Sequence, residues 1–197
     1  MINFGTFAIA LTGAAAVAFA AARAQSAIDP DLLVRAELAR RVQAYVDVKN
    51  AAAMTVLPLV QLDDPAEIRS RTEALATVIR SARWNARQGD VFTPEVAHAI
   101  RRAIRRGCEG DYVALLALAR EELVVPLPEP AVHGRWPGSA PLPTMTPDVL
   151  AALPPLPPGL QYRFMNHDLV LLDIDANLIV DFVPDAIPII TESNDAH

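Results

Sequence analysis

Eleven of the seventeen prolines in this chain fall between Pro126 and Pro158. A helix interior rejects that density, because each proline removes a backbone donor and clashes with the preceding turn. A central strand rejects it for the missing donors alone. The stretch is therefore expected to run extended and semi-rigid, and it divides the chain into two portions of different character. One short helix is expected inside it, where Thr146-Pro147-Asp148 opens T-P-D-V-L-A-A-L and Pro154-Pro155 closes it.

Before the prolines, residues 29–124 read as helices. Asp29-Pro30 pairs an N-cap with a proline at the first helical position. Leu32, Ala36, Leu38, Ala39, Val42, Tyr45 and Val46 then share one side of a helical wheel, and Pro58 bounds this helix near Leu57. Asp64-Pro65-Ala66-Glu67 is a capping box, in which Asp64 accepts from free amides and Glu67 reaches back. Ile68, Thr72, Leu75, Val78, Ile79 and Ala82 continue as a stripe, with Gly89 as the expected stop. The third helix opens at Thr93-Pro94-Glu95, turns Val96, Ile100, Ala103 and Ile104 inward, and ends at Gly107. A fourth follows Asp111, with Tyr112, Leu115, Leu116, Ala119 and Leu123 on one face. Helices with such short connections predict a small antiparallel four-helix bundle.

After the prolines the pattern is β. Residues 161–165, 168–173 and 178–183 are rich in Val, Ile, Leu, Phe and Tyr and are separated by turn residues. Strands this close in sequence pair antiparallel, which predicts a three-stranded meander. So small a sheet needs a partner face, supplied by the bundle or the strap. Within it, D-I-D-A-N places Asp173, Asp175 and Asn177 at alternate positions, as a calcium-binding loop begins. That loop needs glycine at its sixth position and a bidentate glutamate at its twelfth; here those positions hold Leu178 and Pro184. A hairpin accounts for the run better. Asp173 caps the amides that follow it, and Asn177 tolerates the left-handed conformation that ends such a turn.

The stretch Y-R-F-M-N-H-D-L-V-L-L-D-I-D-A-N-L-I-V-D-F-V-P-D-A-I resembles the C-terminal segment of uncharacterised secreted bacterial proteins. More distantly it is similar to small periplasmic meanders of the RcnB kind, where a D-x-x-T-G turn joins valine-rich strands. Asn177 stands at the glycine position. The resemblance spans residues 162–187 only. It implies a periplasmic meander, carries over no catalytic residue and does not transfer metal homeostasis.

The first residues predict the compartment. M-I-N-F-G-T-F precedes an apolar run from Ala8 to Ala22, too short for a membrane span and matched to a signal-peptide core. Ala22-Arg23-Ala24 is an A-x-A pattern, so cleavage is expected after Ala24, although no Lys or Arg precedes the run. The chain is expected in the periplasm or secreted; left uncleaved, the segment would anchor it in the inner membrane. No cysteine follows the run, which excludes a lipoprotein signal. P-P-L-P-P at 154–158 has the pattern of ligands for proline-recognising grooves. Those modules are chiefly intracellular, so a strap lying across its own protein is the preferred reading.

Apolar residues make up 52% of the chain, enough to bury a core without disulfides, and Cys108, the single cysteine, can form none within the chain. A net charge of −6 argues against nucleic acid as partner. Lys49 is the only lysine beside sixteen arginines and reads as codon bias from a GC-rich genome. His98, His133, His167 and His197 show no ligand spacing. No G-x-S-x-G, glycine-rich phosphate loop or S-x-x-K occurs. No catalytic residue, metal ligand or cofactor is therefore expected. The arginines are more organised. Arg101, Arg102, Arg105 and Arg106 cover one side of the third helix; Arg69, Arg80, Arg83 and Arg87 share a side of the second with Trp84, which is off the apolar stripe. Arg80, Arg83, Trp84, Arg87, Arg101, Arg102, Arg105 and Arg106 are the expected partner-binding surface. Residues 145–197 hold one basic residue, Arg163, against eight acidic ones, so this acidic region can also dock on the chain's own arginines.

The expected protein is α+β and mainly α: signal 1–24, four-helix bundle 25–124, proline-rich strap 125–160, three-stranded meander 161–187 and tail 188–197. The leading expectation is a non-catalytic envelope protein that binds a macromolecular or anionic partner. The alternatives are an enzyme or enzyme accessory, with a site around His98, Cys108 and Asp111 or around His167 and Asp168, and periplasmic metal binding or sensing.

Overall fold

The computed structural model describes residues 30–56, 64–108, 127–138 and 145–187. These are α+β and mainly α. The helices are α1 (Pro30–Ala53), α2 (Pro65–Ala82), α3 (Pro94–Gly107) and α4 (Pro147–Ala152); the strands are β1 (Leu160–Met165), β2 (Asp168–Asp173) and β3 (Leu178–Val183). The expected helix 112–123, the segment 1–24, Asp111 and the tail 188–197 lie outside the described residues, as do 125–126 and 139–144 of the strap.

Every one of these helices begins on a proline. Proline surrenders an amide that has no intrahelical partner there, and its φ is preset for the first turn. Asp64 Oδ1 accepts from the Ala66 amide at 2.8 Å, and Thr93 Oγ1 from the Val96 amide at 3.4 Å. The end of α2 departs from expectation. It stops at Ala82, and Gly89, at φ 92°, instead turns the connection into α3. Gly107 does end α3; a Cβ there would stand 2.8 Å from Val149 Cα, so its absence lets α4 lie against the helix end. On α1 the buried positions are Leu38, Val42, Tyr45, Lys49 and Ala52, while Leu32, Ala36 and Ala39 are exposed. The inner stripe is thus rotated from the expected one, and it includes the lysine.

The sheet is the expected antiparallel meander in the order β1-β2-β3. β1 pairs with β2 from Leu160↔Asp173 to Met165↔Asp168. β2 pairs with β3 from Leu169↔Val183 to Asp173↔Leu178, with a bulge at the Leu171/Leu172 level. At the second turn Asp173 Oδ1 accepts from the amides of Asp175 and Ala176 at 3.0 and 3.2 Å, and Asn177 takes φ 47°. The D-I-D-A-N run is therefore a hairpin turn.

Both faces of the sheet are covered. Leu160, Tyr162, Phe164, Leu169, Leu171, Leu178, Val180 and Val183 join the helical core with Leu38, Leu75, Ile79, Phe92, Ile100 and Ile104. Met165, Val170, Leu172 and Ile179 pack instead on Leu127 and Trp136 of the proline-rich strap. Each large aliphatic side chain so buried stabilises the fold by about 1.5–3 kcal/mol. The strap is pinned to β3 by His133 N–H on Ile179 O (2.9 Å) and Ile179 N–H on Gly134 O (2.8 Å). Farther along the outer edge of β3, Arg83 donates to Val180 O (3.4 Å), Gln88 to Phe182 O (3.2 Å) and Arg101 to Pro184 O (2.7 Å). Side chains thereby occupy carbonyls that a bare edge would leave open to another strand.

Candidate functional site

Two carboxylates with no exposed surface, Asp173 and Asp181, lie between the sheet and the helices. Tyr45 and Lys49, one turn apart on α1, share the face turned to the end of β2. Tyr45 Oη donates to Asp173 Oδ2 at 2.7 Å; Lys49 Nζ donates to Asp173 Oδ1 at 3.0 Å and to Asp175 Oδ2 at 2.7 Å. The two aspartates that suggest a calcium loop are thus aimed at an ammonium group. Gly159, at φ 83°, closes the arrangement, because a Cβ there would stand 2.6 Å from both Asp175 Oδ2 and Lys49 Nζ. Lys49 is therefore a buried structural cation. Burial, and then the Asp173 carboxylate, hold the Tyr45 phenol far above its ordinary pKa. The Arg83 guanidinium lies 5.1 Å from the Tyr45 ring centroid, and burial lowers its pKa.

Asp181 answers a different need. The connection between α2 and α3 turns amides inward, and the carboxylate accepts from Gly89 (3.0 Å), Val91 (2.7 Å), Phe92 (2.8 Å) and its neighbour Phe182 (2.8 Å). A buried polar group satisfied this fully specifies one arrangement of its elements. The clusters at Asp173 and Asp181 hold helices to sheet, and their ionisable groups are already occupied. The signal for Asp181 was its place inside L-I-V-D-F-V, since a carboxylate in a fully apolar strand demands donors.

The expected partner-binding residues divide by what they touch. Arg83 and Arg101 hold β3, and Arg102 donates to Asp31 Oδ1 at 2.7 Å, tying α3 to the start of α1. Arg106 lies 4.0 Å from the same carboxylate, and Arg80 is 3.4 Å from Glu73, which also meets Arg135. Arg87 and Arg105 are exposed, and Trp84 is 79% exposed. His133 of the strap sits near the end of α2: burial lowers its pKa, and the charges of Arg83 and Arg80 lower it further. Arg80, Arg83, Trp84, Arg87 and His133 therefore gather around that end. Arg83 reaches Val180 of β3 and Arg101 reaches Pro184 just past its end, four residues on and about 13 Å away in extended chain, so both arginine groups flank this segment.

The residues of the catalytic alternative are placed otherwise. His98 is exposed on α3, and Cys108 is buried at its C-cap, about 15 Å along the axis. Burial raises the Cys108 thiol, which disfavours the nucleophilic thiolate. Asp168 Oδ1 accepts from the Asp185 amide at 2.8 Å; burial raises its pKa, and His167 is the smallest influence on it. Among the described residues, no group of three or more His, Cys, Asp or Glu is arranged to hold a metal. No described helix is long and apolar enough to cross a membrane.

Two clefts flank Pro154–Pro155. One, of about 650 Å³, runs along the first half of β1 and is lined by Leu153, Leu156, Leu160, Tyr162 and Arg163 among others. The other, of about 530 Å³, opens onto α1 at Arg35, Ala39, Val42 and Gln43. No family model matches this chain, and neither a curated protein nor a solved structure matches it.

Proposed function

We propose that this chain is an exported, non-catalytic envelope protein that binds an anionic macromolecular partner, through Arg80, Trp84 and Arg87 at the end of α2 and the outward arginines Arg105 and Arg106 of α3. The observation that carries this reading is Trp84, a tryptophan 79% exposed between Arg80 and Arg87. Tryptophan and arginine are the side chains that most often dominate binding energy, and a large apolar ring left in water gains most when covered. Export rests on the apolar run that ends in Ala22-Arg23-Ala24. We also infer that a helix over 112–123 completes a four-helix bundle, on the strength of its apolar face at Tyr112, Leu115, Leu116, Ala119 and Leu123.

The test is affinity capture from a low-salt envelope extract with the full chain, a W84A/R87A variant and an R105A/R106A variant. The expected result is a partner released by moderate salt and lost with W84A/R87A. Identical capture by all three overturns the reading. N-terminal sequencing of the protein from its host is expected to begin at Gln25; a chain still beginning at Met1 refutes cleavage.

A further inference from the structure

The strap lies on β3 through few bonds, and a histidine stands in the middle of them. His133 N–H donates to Ile179 O at 2.9 Å, and Ile179 N–H donates to Gly134 O at 2.8 Å. Asn177 and the Trp136 backbone exchange two more, at 3.1 and 3.2 Å. Between these contacts His133 turns the chain at φ 67°, a left-handed conformation that costs any residue but glycine. Gly134 follows it, where a Cβ would stand 2.7 Å from Ala131 O. Strain of this kind gathers at ligand clamps and switch regions.

The imidazole is set among cations. Its Nε2 is buried and has no hydrogen-bond partner among the described residues. Arg80 and Arg83 of α2 both act on it. Arg83 donates to Val180 O at 3.4 Å, the carbonyl next to the one that His133 uses. Arg135, two residues along the strap, meets Glu73, and Glu73 also accepts from Arg80 at 3.4 Å. That carboxylate is therefore divided between two arginines. On β3, Ile179 and Val180 bring no charge, and Asp181 is taken up by the amides of the 89–92 connection.

We propose that His133 is a pH-sensitive latch: neutral, it lets the strap lie on β3; protonated, it frees residues 131–136 from that edge and uncovers Trp136 and Ile179. A charged imidazole here would add a third cation beside Arg80 and Arg83 and leave a buried N–H without an acceptor. Burial and then those two arginines hold the His133 pKa below its ordinary value. A freed histidine thus takes its proton first. Attachment of the strap is complete above about pH 6.5 and is lost as pH falls below it. Release can stay local, because Trp136 and Leu127 belong to the smaller apolar cluster, while the opposite face of the sheet stays packed on the helices. The inference is independent of what the Trp84 surface binds.

Amide exchange on the full chain tests it, expressed as protection so that the intrinsic pH dependence cancels. A freed histidine titrates near pH 6.5, so going from pH 7.5 to 5.0 can raise the opening equilibrium by up to about thirtyfold. Protection of the Ile179 amide is expected to fall at least about fivefold over that range, while the Val170 and Leu171 amides of the central strand keep theirs. In a Trp84→Phe chain, where Trp136 is the only tryptophan, emission is expected to shift to the red over the same range. His133→Asn tolerates the left-handed turn and does not titrate, and it should abolish both changes. NMR titration of the His133 ring should give a midpoint below pH 6.5; a midpoint at or above that value overturns the proposal, whether or not the variant folds. So does Ile179 protection that is equal at both pH values, that falls as far in His133→Asn, or that falls only together with that of Val170 and Leu171.

Discussion

Replacing Lys49 with methionine removes the ammonium and keeps most of the volume. Asp173 then remains wholly buried with the Tyr45 hydroxyl and two turn amides as its donors. Breaking a buried ion pair by deleting one partner costs about 3–5 kcal/mol. The donors that remain reduce that figure, and the pair with Asp175 adds little because its carboxylate is half exposed. The expected loss is about 2–4 kcal/mol, or roughly 30- to 1,000-fold in the folding equilibrium, a large share of the roughly 5–15 kcal/mol that holds a typical domain. Urea unfolding followed by tryptophan fluorescence measures it, with an unchanged slope as the sign that only stability has moved. Adding Asp173→Asn to Lys49→Met removes the stranded charge and should recover at least about 1 kcal/mol relative to the sum of the single changes. A loss below about 1 kcal/mol for Lys49→Met, or strictly additive single changes, refutes the account of Asp173 as a carboxylate that depends on Lys49.

Gly159→Ala forces an alanine to φ 83° with its methyl against Lys49 and Asp175, and a melting curve should show a loss of about 1–3 kcal/mol. Asp181→Asn turns an amide NH2 toward backbone donors that now share a carboxylate; about 3 kcal/mol should be lost, with faster exchange of the Val91 and Phe92 amides. Burial raises Tyr45 and Tyr162 above their ordinary value, so unfolded chains lose these protons first. The stability they contribute is complete below about pH 10 and falls as pH rises beyond it, which urea midpoints between pH 9 and 11 would detect as a steady decline. Trp84→Ala should alter stability by no more than about 0.5 kcal/mol, so any loss of capture by that variant reports binding and not unfolding.

Local chemistry was readable in the sequence wherever a residue type has one physical use. Prolines mark the helix starts, alternation and turn residues place the strands to within one residue of Leu160, and Asp173 with Asn177 foretell a turn. Helix ends were less readable: Gly89 looks like a stop, yet α2 ends at Ala82, because the buried Asp181 draws the intervening loop inward. What the sequence could not reveal is pairing across long separations. Lys49 and Asp173 are 124 residues apart, and Gly89 and Asp181 are 92 apart. No periodicity in either segment contains the other. Arg101 and Arg102 looked like a solvent-facing stripe because a helical wheel cannot show that Pro184 O and Asp31 lie within reach.

The pairing of early helices with late strands has a consequence for how the chain comes into being. A ribosome delivers α1, α2 and α3 long before β2 and β3, and the ionic partners of Tyr45, Lys49 and the 89–92 loop arrive last. Until then the helical portion lacks the contacts that fix it, and loop closure over such separations is slow. Folding is accordingly delayed until synthesis nears its end. Under the export proposed above, that delay keeps the chain in a form a translocation channel can accept.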